Sequence, residues 1–473
     1  MFKDLKPYPE YIATESPWLR QVPKHWSMPR MKSVVSEISD KGYPDEPLLA
    51  ATQSRGVIRK DQYENRTVEA TKALDTLKRV LVDDFVISLR SFQGGIERAY
   101  SQGIISPAYT ILRAKDDASR DYFTLLFKSS PFVDALRLAV TGIREGQNIE
   151  YPRLARDPIP VPPVEEQEAI VMYLAHAHQR INKAIATKRR LISLLEEQQR
   201  AVTSEAVRGA LTSSAELIDS GIPYVGRVPA DWRVERLGWH IYLLAGFPFE
   251  SSGFIADTDG IRLLRGANVG VGGVAWDNVV HWPAASASGM SAFSLTEGDL
   301  VLGLDRPVIR GGVRVARVST ADVPSLLVQR VARLRARPTL ESEFLRLALA
   351  GRGFTDYLAP IFTGISVPHL SPKQVCDFRL AVPPIEEQRK IVARVADAHL
   401  RLASATEVAR QEIRLLEEFR TRLTADVVTG QVDVRSIEAS LPSIDLADVF
   451  AASEDAADTD DDETADGADL EDE

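Results

Sequence analysis

The sequence predicts an α+β chain in which two globular, α/β-mixed domains alternate with two long coiled-coil helices in a pseudo-two-fold repeat. Three observations carry that expectation. The stretches Val161 to Gly209 and Val382 to Gly430 are one segment written twice, with 22 identities in 49 gapless positions at an offset of 221. Both copies keep one heptad register. The short motifs ahead of each copy recur in the same order, so the chain reads as two similar halves.

Each copy opens with prolines and carboxylates, VPPVEEQ at 161–167 and VPPIEEQ at 382–388, runs through LLEE, and closes on a glycine. Proline suits a first helical turn, and carboxylates there complement the positive end of the helix dipole. Glu165/Glu166 and Glu386/Glu387 are therefore expected to cap and to offset the dipole rather than to act as an acid–base pair. Gln167 and Gln388 are expected to serve the same turn or an intersegment hydrogen bond.

A 4,3 alternation runs Leu174, His178, Ile181, Ile185, Lys188, Ile192, Leu195, Gln199, Val202, Ala206 in the first copy. In the second it runs Val395, His399, Leu402, Thr406, Ala409, Ile413, Leu416, Arg420, Leu423, Val427. This is a coiled-coil seam. Helices from about 164 to 208 and 385 to 429 would each be about 65 Å long, and neither could bury its stripe alone. Lys188, Gln199 and Arg420 either fix the register or snorkel to solvent. His178 and His399 share a seam position and suit an interhelical polar pair.

The globular parts correspond as well. PWLRQVPKHW (17–26) matches PYVGRVPADW (223–232), and PLLAATQSRG (47–56) matches RLLRGANVGV (262–271). LVDDFVISLR (81–90) matches LTEGDLVLGL (295–304), with Asp84 on Asp299, and Thr141-Gly142-Ile143 matches Thr363-Gly364-Ile365. Stepwise offsets place small insertions in the second globular part. Phe85-Val86-Ile87, Leu300-Val301-Leu302 and 312–316 read as strands, and 121–140 and 341–359 as amphipathic helices. The boundaries expected are 1–160, 161–211, 212–381, 382–432 and 433–473.

Composition narrows the function. With 44% hydrophobic and 26% charged residues the chain is an ordinary globular one. No apolar run approaches a membrane span and MFKDLKPYPE is no signal peptide, so no membrane partner is expected. One cysteine, Cys376, fits a reducing cytoplasm. Between Glu454 and Glu473 stand twelve acidic residues and no Lys or Arg, and without them the net charge moves from −10 to +2. This tail is expected to be disordered and solubilising, with mimicry of a polyanion the alternative.

No catalytic constellation, phosphate loop, cofactor fingerprint or metal-ligand spacing is present, so neither enzyme activity nor any cofactor is expected; Gly270 to Gly273 reads as a turn. Recognition chemistry remains. Gln53, Arg55, Arg59 and Lys60, then Arg90, Gln93 and Arg98 around Gly94-Gly95, lie on loops of the first domain. Arg262, Arg265 and Asn268, then Arg306, Arg310 and Arg314 around Gly311-Gly312, are their counterparts. Arginine reads guanine and Asn or Gln reads adenine, while further cations hold phosphates. These are the candidate DNA-binding residues.

The doubled P-x4-VP-x2-W, TGI, VPP[VI]EEQ and LLEE elements resemble the specificity (S) subunit of type I restriction–modification systems, over roughly residues 15–435. The resemblance implies two target-recognition domains, each reading half of a bipartite site in double-stranded DNA. It implies that the helices pack as an antiparallel spacer, with Ile181, Ile192, Leu195, Leu402, Ile413 and Leu416 among its apolar positions. It further implies docking of two methyltransferase (M) subunits, joined by nuclease–translocase (R) subunits, in a phage-defence complex. The acidic tail is outside the family pattern. A stand-alone methyltransferase or another defence system could use the same subunit, and a non-DNA coiled-coil scaffold is the alternative of another class. A fused methyltransferase–specificity enzyme is disfavoured because the chain has no cofactor motif.

Overall fold

A computed structural model describes residues 5–53, 55–63, 74–141, 148–209, 216–255, 259–362, 368–438 and 441–442. Gly142, Ile143, Thr363-Gly364-Ile365 and the acidic tail lie outside the described residues. The chain forms two compact units, one from the described residues of Met1–Arg189 and Arg410–Glu473, the other from those of Arg190–Ala409. It is a mixed α/β protein with two long helices, Val164–Val207 and Ile385–Val428, each of 44 residues.

The first unit is built on a four-stranded sheet in the order Val35–Ile38, Thr110–Ala114, Phe85–Ile87, Glu97–Arg98. The second unit's sheet has the order Ile241–Ala245, Val331–Ala336, Leu300–Gly303, Val315–Arg317. The strand read at 85–87 is found there. The run at 312–316 is divided instead, Gly312–Val313 pairing with Val308–Ile309 and Val315–Arg317 with Leu300–Gly303.

Both sheets are clamped by the same pair of charges. Arg113 forks onto buried Asp84, Nε to Oδ1 at 2.6 Å and Nη2 to Oδ2 at 2.8 Å, while the Leu81 N–H donates to Oδ2 at 2.8 Å. Arg335 forks onto buried Asp299 at 2.5 and 2.8 Å, and the Thr296 N–H donates at 2.9 Å. A bidentate charge-assisted pair with a backbone donor meets the demands of a buried carboxylate.

Each helix expected behind a sheet is two helices. The first unit has Arg120–Lys128 and Ser130–Leu138, parted at Ser129, where the backbone is extended and Pro131 removes an N–H. The second has Ser342–Ala350 and Arg352–Leu358, parted at Gly351. Their apolar faces close the cores. In the first unit Phe123, Phe127 and Phe132 pack with Ile170, Tyr173 and Leu174 of one long helix and Leu423 and Val427 of the other. In the second, Phe344 and Phe354 pack with Ala206, Ile391 and Val395.

The motif tryptophans seat the helix ends. Trp26 Nε1–H donates to Glu166 Oε1 at 2.9 Å, where His25 Nε2 lies 2.7 Å from Oε2 and the Tyr8 hydroxyl also donates. Trp232 Nε1–H donates to Glu387 Oε2 at 3.3 Å. The second carboxylate of each pair is thus an acceptor for the opening motif, a correction to the capping expectation, whereas Glu165 and Glu386 stay exposed in the first turn. Gln167 and Gln388 donate back to the carbonyls of Pro162 and Pro383 at 2.9 and 2.8 Å, and Gln388 also accepts from the Glu341 N–H at 2.7 Å.

The closing glycines complete the seats. Gly430, at φ +73°, lies so close that a Cβ would stand 2.4 Å from Pro23 Cδ and 3.0 Å from Trp26 Cη2. A Cβ on Gly209, at φ +79°, would likewise stand 2.4 Å from Pro229 Cδ.

Every seam position from Leu174 to Ala206 and from Val395 to Val427 is buried or half-buried, Ile181, Ile192, Leu195, Leu402, Ile413 and Leu416 included. Within the first unit the helices run antiparallel. His178 meets Thr424 at 2.8 Å, Asn182 meets Arg420 at 2.8 Å and Lys188 meets Glu412 at 2.7 Å. Lys188 and Arg420 thereby stay in register with polar partners. Within the second unit His399 meets Thr203 at 3.0 Å. Each threonine hydroxyl donates to the carbonyl four residues back, at 2.9 Å for Thr424 and 3.0 Å for Thr203, so the imidazole Nε2–H is the donor in both. Burial, with Arg420 nearby, lowers the His178 pKa from 6.5 to about 4.

Two predictions follow from these contacts. Gly430→Ala loses at least about 1–2 kcal/mol from its left-handed backbone alone, plus the cost of the Pro23 clash. Gly221→Ala, at φ +70° in open space, loses only the backbone part, and thermal melts of the two variants separate the contributions. For His178, the unfolded chain takes up a proton that the fold refuses as pH drops from about 6.5 towards 4. Stability contributed by neutral His178 is therefore complete above 6.5 and is lost through that window, and His178→Gln flattens the fall in melting temperature between pH 7 and pH 5.

Candidate nucleic-acid interface

In the first unit the two candidate loops come together. The hairpin Leu49–Thr52 and Gly56–Arg59 carries Gln53 at its turn, and the short helix Ser91–Gly94 carries Gln93. Gln53 Nε2–H donates to Gln93 Oε1 at 3.3 Å on the exposed surface. Gly94 permits this, because a Cβ there would stand 3.2 Å from Gln53 Cγ. Gly95, at φ +90°, turns the chain beneath the pair where a Cβ would collide with the Phe127 carbonyl oxygen at 2.3 Å. Arg90 is exposed just before this turn, with no side-chain partner among the described residues.

The other candidates of this unit are held more closely. Arg55 Nη1 donates to the Gln62 carbonyl at 3.3 Å, Arg59 forks onto Asp61 at 3.1 and 2.6 Å, and Lys60 is half-exposed beside them. Arg98 is a frame residue. It bridges Asp83 at 2.6 Å and Asp121 at 2.5 Å, with its side chain only 13% exposed. Burial lowers its pKa, and the hydrogen bonds to Asp121 and Asp83 outweigh that and raise it.

In the second unit the loops after Ile261–Leu264 and Leu300–Gly303 also meet. Arg314 is buried and donates from Nε to the Val269 carbonyl at 2.9 Å and from Nη1 to the Asp305 carbonyl at 3.1 Å. Asn268 is buried as well, accepting from the Arg265 N–H at 3.1 Å and donating to the Ala275 carbonyl at 2.9 Å. Both therefore hold the loop from inside. Arg265 Nη2 holds the Asn278 carbonyl at 2.5 Å, and Arg262 lies 4.5 Å over the Trp276 ring while donating to the Ala321 carbonyl at 2.7 Å. Arg306, at φ +43°, and Arg310 are exposed. Arg310 stands with Gly311 at the turn of the hairpin Val308–Ile309 and Gly312–Val313, beside exposed Val271.

Sequence reasoning missed Lys128, whose Nζ donates to the Gln53 carbonyl at 2.9 Å across 75 residues. No local pattern announces such a contact. Gly270 to Gly273 is a turn, as expected, with the Gly270 N–H bonded to the Gly273 carbonyl at 2.9 Å. Among the described residues no group of three or more metal-ligating side chains converges, and no helix is long and apolar enough to cross a membrane.

Two units that repeat one strand order, with long helices and paired polar loops, define the fold as a modular, mixed α/β one. No family model matches the chain. The specificity subunit of the type I restriction enzyme MjaVIII from Methanocaldococcus jannaschii is 24% identical over 337 residues, 71% of this chain and 76% of that one. The EcoAI specificity subunit from Escherichia coli is 26% identical over 353 residues, so the chain spans 59% of that relative's length. A solved chain from work on complex assembly and conformational transition of the type I R-M system superposes with a TM-score of 0.59 at 18% identity, covering 87% of this chain and 99% of that one. The resemblance carried by the doubled motifs holds: the curated relatives are type I restriction enzyme specificity subunits.

The division between frame arginines and exposed ones has a direct consequence. Arg98→Ala removes the arginine shared by Asp83 and Asp121, leaving Asp83 with Arg120, and costs about 1–3 kcal/mol of folding stability. Arg90→Ala stays within about 0.5 kcal/mol of the parent. Chemical denaturation of both variants measures the difference.

Proposed function

We propose that this chain is the sequence-specific DNA-binding subunit of a type I restriction–modification complex. Each unit, as a target-recognition domain, reads one half of a bipartite site in double-stranded DNA. The observation that carries the reading is the convergence, in each unit separately, of two polar loops on a frame with the same strand order and the same Arg–Asp clamp. In the first unit Gln53, Gln93 and Arg90 face outwards, with Arg55, Arg59 and Lys60 placed for phosphates. In the second, Arg306 and Arg310 face outwards with Arg262 and Arg265 behind them. Amides suit adenine and arginines suit guanine or phosphate. Arg98, Asn268 and Arg314 are assigned to the frame.

The subunit has no catalysis of its own; specificity subunits are the non-catalytic part of type I systems. Methylation and cleavage belong to the M and R subunits that it gathers. Exposed apolar residues on the long helices suit docking of M subunits: Leu191, Leu194, Leu400 and Val408 in the second unit and Leu415 in the first. The helices themselves serve as a coiled-coil spacer; of these apolar residues Leu194 and Leu415 hold the same place in the two copies, whereas Leu191, Leu400 and Val408 correspond to Glu412, Gln179 and Thr187. The cytoplasm, where DNA and the reduced cysteine are found, is the setting.

The spacer role is tested by length. One heptad inserted into each long helix adds about 10 Å of helix, which corresponds to a gap longer by about three base pairs at roughly 3.4 Å per pair. Methylation mapping by single-molecule sequencing should find both half-sites unchanged and only the gap altered. Altered half-site sequences would overturn the separation of reading from spacing.

A further inference from the structure

Lys128 ends the helix Arg120–Lys128, and its ammonium is shared between two oxygens. One is Oε1 of Glu97 at 2.6 Å and the other the backbone carbonyl of Gln53 at 2.9 Å. Glu97 is 3% exposed, and its second oxygen is buried with no hydrogen-bond partner among the described residues. Beside the pair lies a cavity of about 330 Å³ lined by Arg55, Glu97, Lys128, His178 and Arg420 among others. The lysine stem therefore has space to swing away, and its position over Gln53 rests on the bond to Glu97.

The second unit shows how the same place is closed without charge. Glu97 sits opposite Val86 in the first sheet, and Ala316 sits opposite Val301 in the second. The helix Ser342–Ala350 follows its sheet as Arg120–Lys128 follows the first, and it ends on Ala350. Two alanines thus stand where the first unit has a buried ion pair. Taking such a pair out of water costs several kcal/mol that its attraction only partly offsets. Packing alone does not require it.

What the charged version adds is a hold on the turn carrying Gln53. The Gln53 amide is bonded in turn to Gln93, and the Gly94-Gly95 bend fits it from below against the end of the Lys128 helix. A glutamine that reads adenine must present both amide atoms in the plane of the base, so small displacements of its backbone are felt in discrimination.

We propose that Lys128, anchored by Glu97, is a positioning residue that fixes the Gln53–Gln93 pair for reading the half-site of the first unit. This inference rests on the DNA-reading role proposed above for those glutamines. Glu97 and Lys128 act through the loop and touch no base. The second unit, lacking the clamp, positions its loop by the buried Arg314 and Asn268 instead.

The test is methylation mapping of genomic DNA by the assembled methyltransferase complex carrying Glu97→Ala with Lys128→Ala, the residues of the equivalent places in the second unit. Discrimination at one base pair of one half-site should fall about ten-fold, with the other half-site and the melting temperature unchanged. Gln53→Ala should relax the same base pair, and Lys128→Arg, which keeps a cation over both oxygens, should retain the parent specificity. If Gln53→Ala relaxes the half-site and the double variant does not, the positioning role is overturned while the reading role stands. If neither Gln53→Ala nor Gln93→Ala alters either half-site, the reading role itself fails. A double variant that relaxes both half-sites, or a Lys128→Arg variant as relaxed as the double alanine, also overturns the positioning role.

Discussion

A tryptophan indole held between the start of one long helix and the end of the other is the contact on which the architecture depends. Trp26 donates to Glu166 at the start of the first helix, and its ring lies against Gly430 at the end of the second. Trp232 donates to Glu387 at the start of the second, with its ring against Gly209 at the end of the first. Segments remote in sequence are thereby brought into one unit, Trp26 and Gly430 being 404 residues apart by their numbers. The glycines are required twice over, for their positive φ and for the missing Cβ. With the ends seated, antiparallel packing of the helices within the first unit follows, and the His178–Thr424 and His399–Thr203 bonds have only to choose the register.

The same contact explains which parts of the fold were legible in the sequence. Helix limits and heptad seams are local patterns, and the long helices end within a residue or so of the positions expected. The strand at 85–87 was legible because β-branched and aromatic residues stand between acidic and polar punctuation. The breaks at Ser129 and Gly351 were underweighted: an amphipathic stripe continues across each, while Pro131 and the extended backbone before it end the helical hydrogen bonding. The role of Glu166 was illegible for a different reason. A carboxylate in a first helical turn has a sufficient local explanation, and only the tertiary fold brings Tyr8, His25 and Trp26 to it.

The candidate interface was legible by loop and illegible by side chain. Matched offsets picked out two loops in each half, and the frame of each unit brings those two segments together. They could not separate Gln53, exposed, from Asn268, buried and bonded to its own loop, although both are amides at matched positions. Nor could they separate Arg90 from Arg98, eight residues apart, because Asp83 and Asp121 claim the latter. An arginine becomes a reader or a strut according to whether an acid from another element reaches it, and that is a property of the packing.

Neutralisation inside the frame also settles how an acidic chain can favour DNA under the proposed function. Asp84 and Asp299 each hold an arginine, and Asp83 and Asp121 share Arg98, with Arg120 also on Asp83, so these buried or half-buried acids are met by cations of the frame. The net −10 comes from the terminal stretch Glu454 to Glu473, without which the chain is at +2. At physiological ionic strength fields between exposed charges fade within about 8 Å, so cations at the loops respond to the charges within that distance rather than to the net charge of the chain. Under that function the attraction for phosphates rests on cations of the loops, among them the exposed Arg90 in one unit and Arg306 and Arg310 in the other. On the proposed function such cations supply the sequence-independent part of binding, and the exposed amides of Gln53 and Gln93 supply part of the base reading that decides where the protein stays.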